Sequence, residues 1–253
     1  MDLTHSLDRT VVIQAAPETV FRFFEDSDRF ARWWGPGSTI DPRPGGKVYI
    51  RHPNGIETVG EVIEIDPPGR IVFTYGYASG KPIPPGGSRV TVKLAPDPSG
   101  TRLSLHHEFA EAQVRDLHVQ GWRFQLSLFG NAVADEQFAA VAGRVDAWFD
   151  AWAIPDAAAR KAAFAALAAS TIVFRDRYSL LNGMEDLLEH VAAAQRFMPG
   201  VRLTRKGNER HCQGTLLADW AAKGPDGTEY MSGTNVFVLA PDGKFATVTG
   251  IAG

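Results

Sequence analysis

Apolar side chains return at every second position through much of the stretch from Gly45 to Phe109, and no other feature constrains the fold of this chain so tightly. Ile71, Phe73, Tyr75 and Tyr77 alternate with Val72, Thr74 and Gly76. Val90, Val92 and Leu94 alternate with Arg89, Thr91 and Lys93, and Leu103, Leu105, His107 and Phe109 with Arg102, Ser104, His106 and Glu108. Neighbouring strand side chains point to opposite faces, so the pattern predicts a sheet with one buried and one wet face. Pro67-Pro68-Gly69 and the Pro96 to Gly100 segment are turn-forming breaks, which predicts antiparallel pairing. Helical signals bracket the sheet. One short helix opens at Pro17, a second runs into Trp33-Trp34 and stops at Gly35-Pro36-Gly37. Val114, Leu117, Gly121, Trp122, Gln125, Leu128 and Phe129 recur at helical spacing and predict one long helix. Such a helix laid across a single curved sheet leaves a groove or cavity beneath it.

The rhythm changes after Asn131. A new helix is predicted from Asp135, with Phe138, Val141, Val145, Trp148, Phe149 and Trp152 on one side. Pro155 ends it, and Asp156 is a good N-cap for a helix over 157–168. A strand over 171–176 leads into a loop ending at Gly183. A third helix follows, carrying Met184, Leu187, Leu188, Val191 and Phe197 and closed by Pro199-Gly200. Strands are predicted over 201–209, 210–221, 230–239 and 245–251, with Pro241-Asp242-Gly243 as the last hairpin turn. A chain of 253 residues fits two medium domains, and the pattern assigns both to the α+β class, over 1–133 and 134–253.

Composition narrows the function. The formal charge is −3, and neither half carries the basic excess that phosphate binding demands, so nucleic acid is not an expected partner. Cys212 is the only cysteine, which excludes an intramolecular disulfide and a thiolate metal cluster. The N-terminus has no basic region followed by an apolar stretch, and no apolar run approaches the roughly 20 residues that cross a bilayer. A cytoplasmic protein with no membrane partner is expected. No glycine-rich phosphate loop, nucleophile elbow or spaced metal-ligand set occurs, so neither cofactor nor metal is implied.

Ala15-Ala16-Pro17-Glu18-Thr19-Val20-Phe21, Trp33-Trp34-Gly35-Pro36, Pro44-Gly45-Gly46, the run from Gly60 to Pro68, and Gly121-Trp122 occur in the order seen in one family. Over residues 8–132 the chain resembles the bacterial domain related to the activator of heat-shock-protein-90 ATPase, within the START-like and Bet v 1 helix-grip group. The resemblance implies an antiparallel sheet around a long C-terminal helix and a hydrophobic ligand cavity; chaperone activation follows from it less directly. His107 shares strand parity with Leu105 and Phe109, His118 lies beside Trp122 on the inward helix face, and Glu61 alternates with Val59, Ile63 and Ile65. Trp122, His107, Glu61, Tyr75 and His118 are therefore candidate ligand-binding residues. The plainer alternative makes the histidines hydrogen-bonded pocket-edge groups and puts Glu61 at an open sheet end.

Trp148-Phe149-Asp150-Ala151-Trp152, Phe174-Arg175-Asp176-Arg177-Tyr178, Gly183 to Leu188, and Gly233-Thr234-Asn235-Val236-Phe237 carry a second, looser resemblance. Residues 135–253 resemble the SnoaL-like branch of the nuclear-transport-factor-two-like superfamily, which implies a cone-shaped α+β barrel with an apolar interior. Some enzymes on that fold use an aspartate after the first strand as a proton-shuttling base, and Asp176 matches that place. Its parity with Ile172 and Phe174 points it inward, where desolvation would raise its pKa. The alternative is an Asx-turn or an ion pair with Arg175 or Arg177. Trp148 falls where the isomerase branch has an oxyanion-donating tyrosine. His190, Tyr178, Trp152, Trp220 and Asn235 are further candidate lining groups, and His211 reads as exposed. The expected function is binding of a small apolar molecule, with cofactor-free proton transfer at Asp176 and His190 as its enzymatic form and a homodimer through the second domain. The alternative is a chaperone-associated or protein-interaction factor.

Overall fold

The computed structural model describes residues 2–141 and 143–253, with Ala140 by its backbone alone. The chain divides into two compact units, Met1–Glu136 and Gln137–Gly253.

In the first unit, β1 (His5–Ile13), β2 (Thr39–Ile40), β3 (Lys47–Arg51), β4 (Glu57–Asp66), β5 (Arg70–Tyr77), β6 (Ser88–Asp97) and β7 (Gly100–Phe109) form one sheet. Their order is β1-β7-β6-β5-β4-β3-β2, and every pairing is antiparallel. Two short helices, α1 (Pro17–Phe21) and α2 (Ser27–Trp34), follow β1, and α3 (Ala112–Gln137) follows β7. This is a helix-grip architecture. Asp26 caps α2 by accepting the Arg29 N–H at 2.8 Å. The helices deliver Phe21, Phe23, Phe24, Phe30 and Trp33 to a core closed by Phe129 of α3, with Trp33 and Phe129 rings 4.7 Å apart.

Leu7, Val11 and Ile13 keep the period of two on β1, a strand additional to those predicted. Two expectations need correction here. Leu117 sits on α3 but not on its buried face, being 68% exposed; the buried stripe runs through Trp122, Leu126, Phe129 and Val133. Glu61 lies outside the core. On β4 the inward positions are Thr58 and Val62, both fully buried, while Glu61 is exposed and Ile63 is half-exposed. A bulge between Val62 and Glu64 then returns Ile65 to the inner side opposite Ile71. One extra residue inverts parity, so an alternation read back from Ile65 assigns Glu61 to the wrong face. Earlier on β4, a Cβ on Gly60 would lie 1.7 Å from the Thr74 carbonyl oxygen, so only glycine fits there.

The second unit contains α4 (Arg144–Ala151), α5 (Ala157–Leu167), β8 (Ala168–Arg175), β9 (Leu180–Asn182), α6 (Met184–Phe197), β10 (Arg202–Cys212), β11 (Thr215–Lys223), β12 (Glu229–Leu239) and β13 (Phe245–Ala252). The six strands run β10-β11-β12-β13-β8-β9, parallel only between β13 and β8. The helix expected from Asp135 is not one element. α3 continues to Gln137, a 3-10 turn follows at Ala139–Val141, and α4 begins after Gly143, whose φ is +87°; Ala142 lies outside the described residues. Asp156 caps α5 as expected, accepting the Ala159 N–H at 2.7 Å. The hairpin expected at 209–210 turns later, at Gln213-Gly214, where φ is positive at both residues. His211 is half-buried there, and its Nε2 accepts the Gly214 N–H at 3.0 Å. Trp148, Phe149, Phe164, Phe237 and Phe245 make the core. Among the described residues no helix is long and apolar enough to cross a membrane.

Candidate functional site

Each unit carries an open cavity. In the first, about 410 Å³ opens between α3 and β5. Strand parity turns Tyr75 and Tyr77 inward, and α3 supplies His118, Trp122, Gln125 and Leu128 from the facing side. No Asp, Glu, Lys or Arg lines this space.

His118 and Tyr77 are tied together, while the buried Trp34 indole N–H has no partner among the described residues. His118 Nδ1 meets the Val114 carbonyl at 2.8 Å. A carbonyl only accepts, so Nδ1 carries the proton and Nε2 is left to accept from the Tyr77 hydroxyl at 3.4 Å. Burial lowers the pKa of His118 despite that carbonyl, and burial followed by the proximity of His118 lowers that of His52. Burial, then the neighbouring Tyr77, raises the Tyr75 phenol, which stays protonated.

His107 does not line the cavity; it stands one layer behind Tyr75 and Trp122. The Trp122 indole donates to His107 Nδ1 at 2.9 Å. Indole nitrogen cannot accept, so His107 Nε2 holds the proton and donates to Ser88 Oγ at 2.9 Å; the Ser88 hydroxyl donates to the Tyr75 carbonyl at 2.8 Å. Every partner in this relay is satisfied, and burial, then His118 and His106, push the fully buried His107 well below its ordinary pKa. It is a neutral group that fixes the Trp122 ring. Glu61 is remote from the lining.

The second cavity, about 400 Å³, lies between α6 and the inner face of β8, β11, β12 and β13. It gathers Trp152, Asp176, Tyr178, His190, Trp220 and Asn235. Tyr178 is 73% exposed and forms part of the rim. Trp148 is absent from the lining: it is fully buried, edge-on to Phe164, Phe237 and Phe245 at 5.1–6.0 Å. The place matched to an oxyanion donor is thus core, because α4 turns that side chain beneath the cavity wall.

Asp176 follows the last residue of β8. Its Oδ1 accepts the Tyr178 N–H at 2.8 Å and the Ser179 hydroxyl at 2.7 Å, an Asx-turn. His190 packs its ring on Trp152 and Phe174, with centroids 5.8 and 5.9 Å away. Gln195, which sequence reasoning missed, also lines the space. Its amide donates to the carbonyls of Trp152 and Ile154 and accepts from the buried Arg160. That residue lies off the apolar stripe of α6, so periodicity carries no signal for it. Among the described residues no group of three or more His, Cys, Asp or Glu side chains is placed to hold a metal ion.

Residues 14–133 match the family described as Activator of Hsp90 ATPase homolog 1-like protein, so the first unit is a domain of that type. The match stops short of the second unit. No curated protein matches the chain. Solved structures similar to part of it include a SnoaL-like family protein from Agrobacterium tumefaciens, at 21% identity over 47% of this chain and 98% of that one, with a TM-score of 0.43. The Aha1 dimer from Colwellia psychrerythraea is 16% identical over 51% and 96%, with a TM-score of 0.45. A Nitrosomonas europaea protein is 20% identical over 54% and 99%, with a TM-score of 0.44.

Proposed function

We propose that the protein binds small apolar molecules, with a neutral one held beneath α3 and a second site in the cavity of the second unit. The observation that carries this reading is the first cavity itself. It offers about 410 Å³, has tryptophan and tyrosine in its walls, and lacks any charged side chain in its lining. Its histidines favour the uncharged form through burial, so an anionic ligand would find no counter-charge there. A neutral twelve-carbon alcohol should therefore quench or shift the tryptophan fluorescence of the full chain at least fivefold more tightly than the carboxylate of equal length. Leu128→Arg, which sets a charge in the lining, should weaken the alcohol about tenfold. Equal or tighter binding of the carboxylate, or no saturable signal with either, overturns the reading. Turnover by proton transfer at Asp176 is a narrower proposal, for which only the oxygen outside its turn is available.

A second reading has one observation in its favour. Leu117 and Phe124 of α3, which border the first cavity, are 68% and 63% exposed, and the domain type carries the name of a chaperone ATPase activator. An association with an Hsp90-type ATPase through this stripe would show as stimulated ATP hydrolysis that the double variant Leu117→Ser, Phe124→Ser abolishes. Stimulation that survives the double variant, or none at all, removes that reading.

A further inference from the structure

Beside the first cavity, Trp34 packs on Trp33 with ring centroids 4.5 Å apart and stands edge-on to Trp122 at 5.6 Å. Its two neighbours have acceptors for their indole protons. Trp33 donates to the Phe23 carbonyl at 3.5 Å and Trp122 to His107 Nδ1 at 2.9 Å. Trp34 differs: it is 5% exposed, it lines the cavity, and its indole N–H meets no acceptor among the described residues. A buried donor without a partner costs about 1–3 kcal/mol. The Trp148 indole is also unpartnered, but it is fully buried in the core of the second unit and lines neither cavity. Only at Trp34 does the unanswered proton belong to the wall of the first cavity.

The rest of that wall offers Trp34 no remedy, because its groups answer one another. Tyr77 donates to His118 Nε2, and His118 Nδ1 donates to the Val114 carbonyl. The Tyr75 hydroxyl interacts with Thr58 and Tyr77. Gln125 gives an amide N–H to the Trp33 carbonyl. His52 stands edge-on to Trp34 with centroids 5.7 Å apart, yet its Nε2 faces Thr58 Oγ1 at 3.5 Å and takes nothing from the indole.

We infer that the first cavity selects a neutral apolar molecule carrying a carbonyl oxygen, a ketone or an ester, and that the Trp34 indole N–H is the group that selects it. An indole nitrogen donates and never accepts, so the ligand atom that completes it is an acceptor. A hydrocarbon leaves the proton unanswered. A carboxylate accepts it but brings a charge into a lining without Lys or Arg. A hydroxyl accepts it and brings a second proton that needs an acceptor of its own. A carbonyl adds neither charge nor proton. The inference rests on the reading of this cavity as a site for neutral apolar molecules and adds the residue that discriminates among them.

The test uses the full chain and a pair of planar probes of nearly one shape, 2-acetylnaphthalene and 2-isopropenylnaphthalene, which exchange C=O for C=CH2. Affinity is read by calorimetry, while NMR follows the indole protons and the backbone amide of Gly121, which also lines the cavity. The ketone should move the Trp34 indole proton downfield, and further than the alkene does. Trp34→Phe keeps an aromatic ring and removes the N–H. It should weaken the ketone about tenfold and the alkene by less than about twofold. The wild-type indole shift, assigned through its contacts with His52 and Trp122, decides the matter even where the variant folds poorly. Equal weakening of both probes, or an equal indole shift with both, overturns the carbonyl inference and leaves an apolar site. Failure of both probes to perturb Trp34 or Gly121 overturns the inference together with the reading on which it rests.

Discussion

At the residue scale, His107 shows how burial sets chemistry. Its two ring nitrogens have fixed and different jobs, accepting from Trp122 and donating to Ser88, which only the neutral ring performs. His52, His107 and His118 all have pKa values lowered from the ordinary 6.5, chiefly by burial. The unfolded chain therefore takes up protons on these rings first as pH falls, and stability follows pH in the same direction. The contribution is complete above about pH 6.5 and drains as pH drops through the folded values. Melting followed by circular dichroism should show the first unit losing stability between pH 7 and 5. Glu108 and Asp97 have pKa values lowered from 4.5 and 3.8, so they act at still lower pH. His107→Leu should cost about 1–3 kcal/mol at neutral pH, because it strands the Trp122 indole N–H, and should flatten the acid slope. A flat profile in the wild type contradicts this account. Much of the residue-level picture was legible: strand parity alone turns His107 inward. The direction of its hydrogen bonds was not, because partners 15 and 19 positions away become visible only once the fold juxtaposes them.

At the element scale, α3 is where pattern and structure part. Helical spacing predicts the helix, yet Leu117 and Phe124 are exposed at the border of the cavity and not in the core, so hydrophobicity alone does not say which side chains are buried. Gly121 sits between them within the helix, and a Cβ there would meet nothing within 4 Å. Glycine in a helix interior costs roughly 0.5–1 kcal/mol relative to alanine. Gly121→Ala should accordingly raise the unfolding free energy of the first unit by an amount in that range, seen as a higher urea midpoint. An unchanged or lower midpoint would mean that the position is already constrained by something other than helix propensity. β4 teaches a different lesson. Its bulge is a backbone event with no side-chain signature, so Glu61 was assigned to a face by an alternation that the strand itself interrupts. Asp176 stands between these cases. Parity brings it to the cavity, while the Tyr178 N–H and Ser179 hydroxyl that occupy its Oδ1 belong to the turn after β8.

At the scale of the whole molecule, the division between units falls inside the last turn of one helix, and the side chains there say where a cut should go. Glu136 belongs to the first unit: its carboxylate takes Arg29 Nε at 2.9 and 3.1 Å and Arg32 at 2.9 Å. Gln137 belongs to the second, donating to the Pro241 carbonyl at 2.7 Å. If each unit folds alone, fragments 1–136 and 137–253 should each melt cooperatively. A first fragment shortened to 1–133 loses the two ion pairs and the nearly buried Ala134. Half-exposed pairs contribute at most about 1 kcal/mol each, and a loss of that size in a domain of this length lowers the melting temperature by roughly 3–6 °C. Glu136→Gln in the longer fragment should fall between the two, since it removes the charge but keeps the helical turn. Equal melting of 1–133 and 1–136 would show the Glu136 cluster to be ornamental, and a non-cooperative 1–136 would show that the first cavity depends on the chain beyond it.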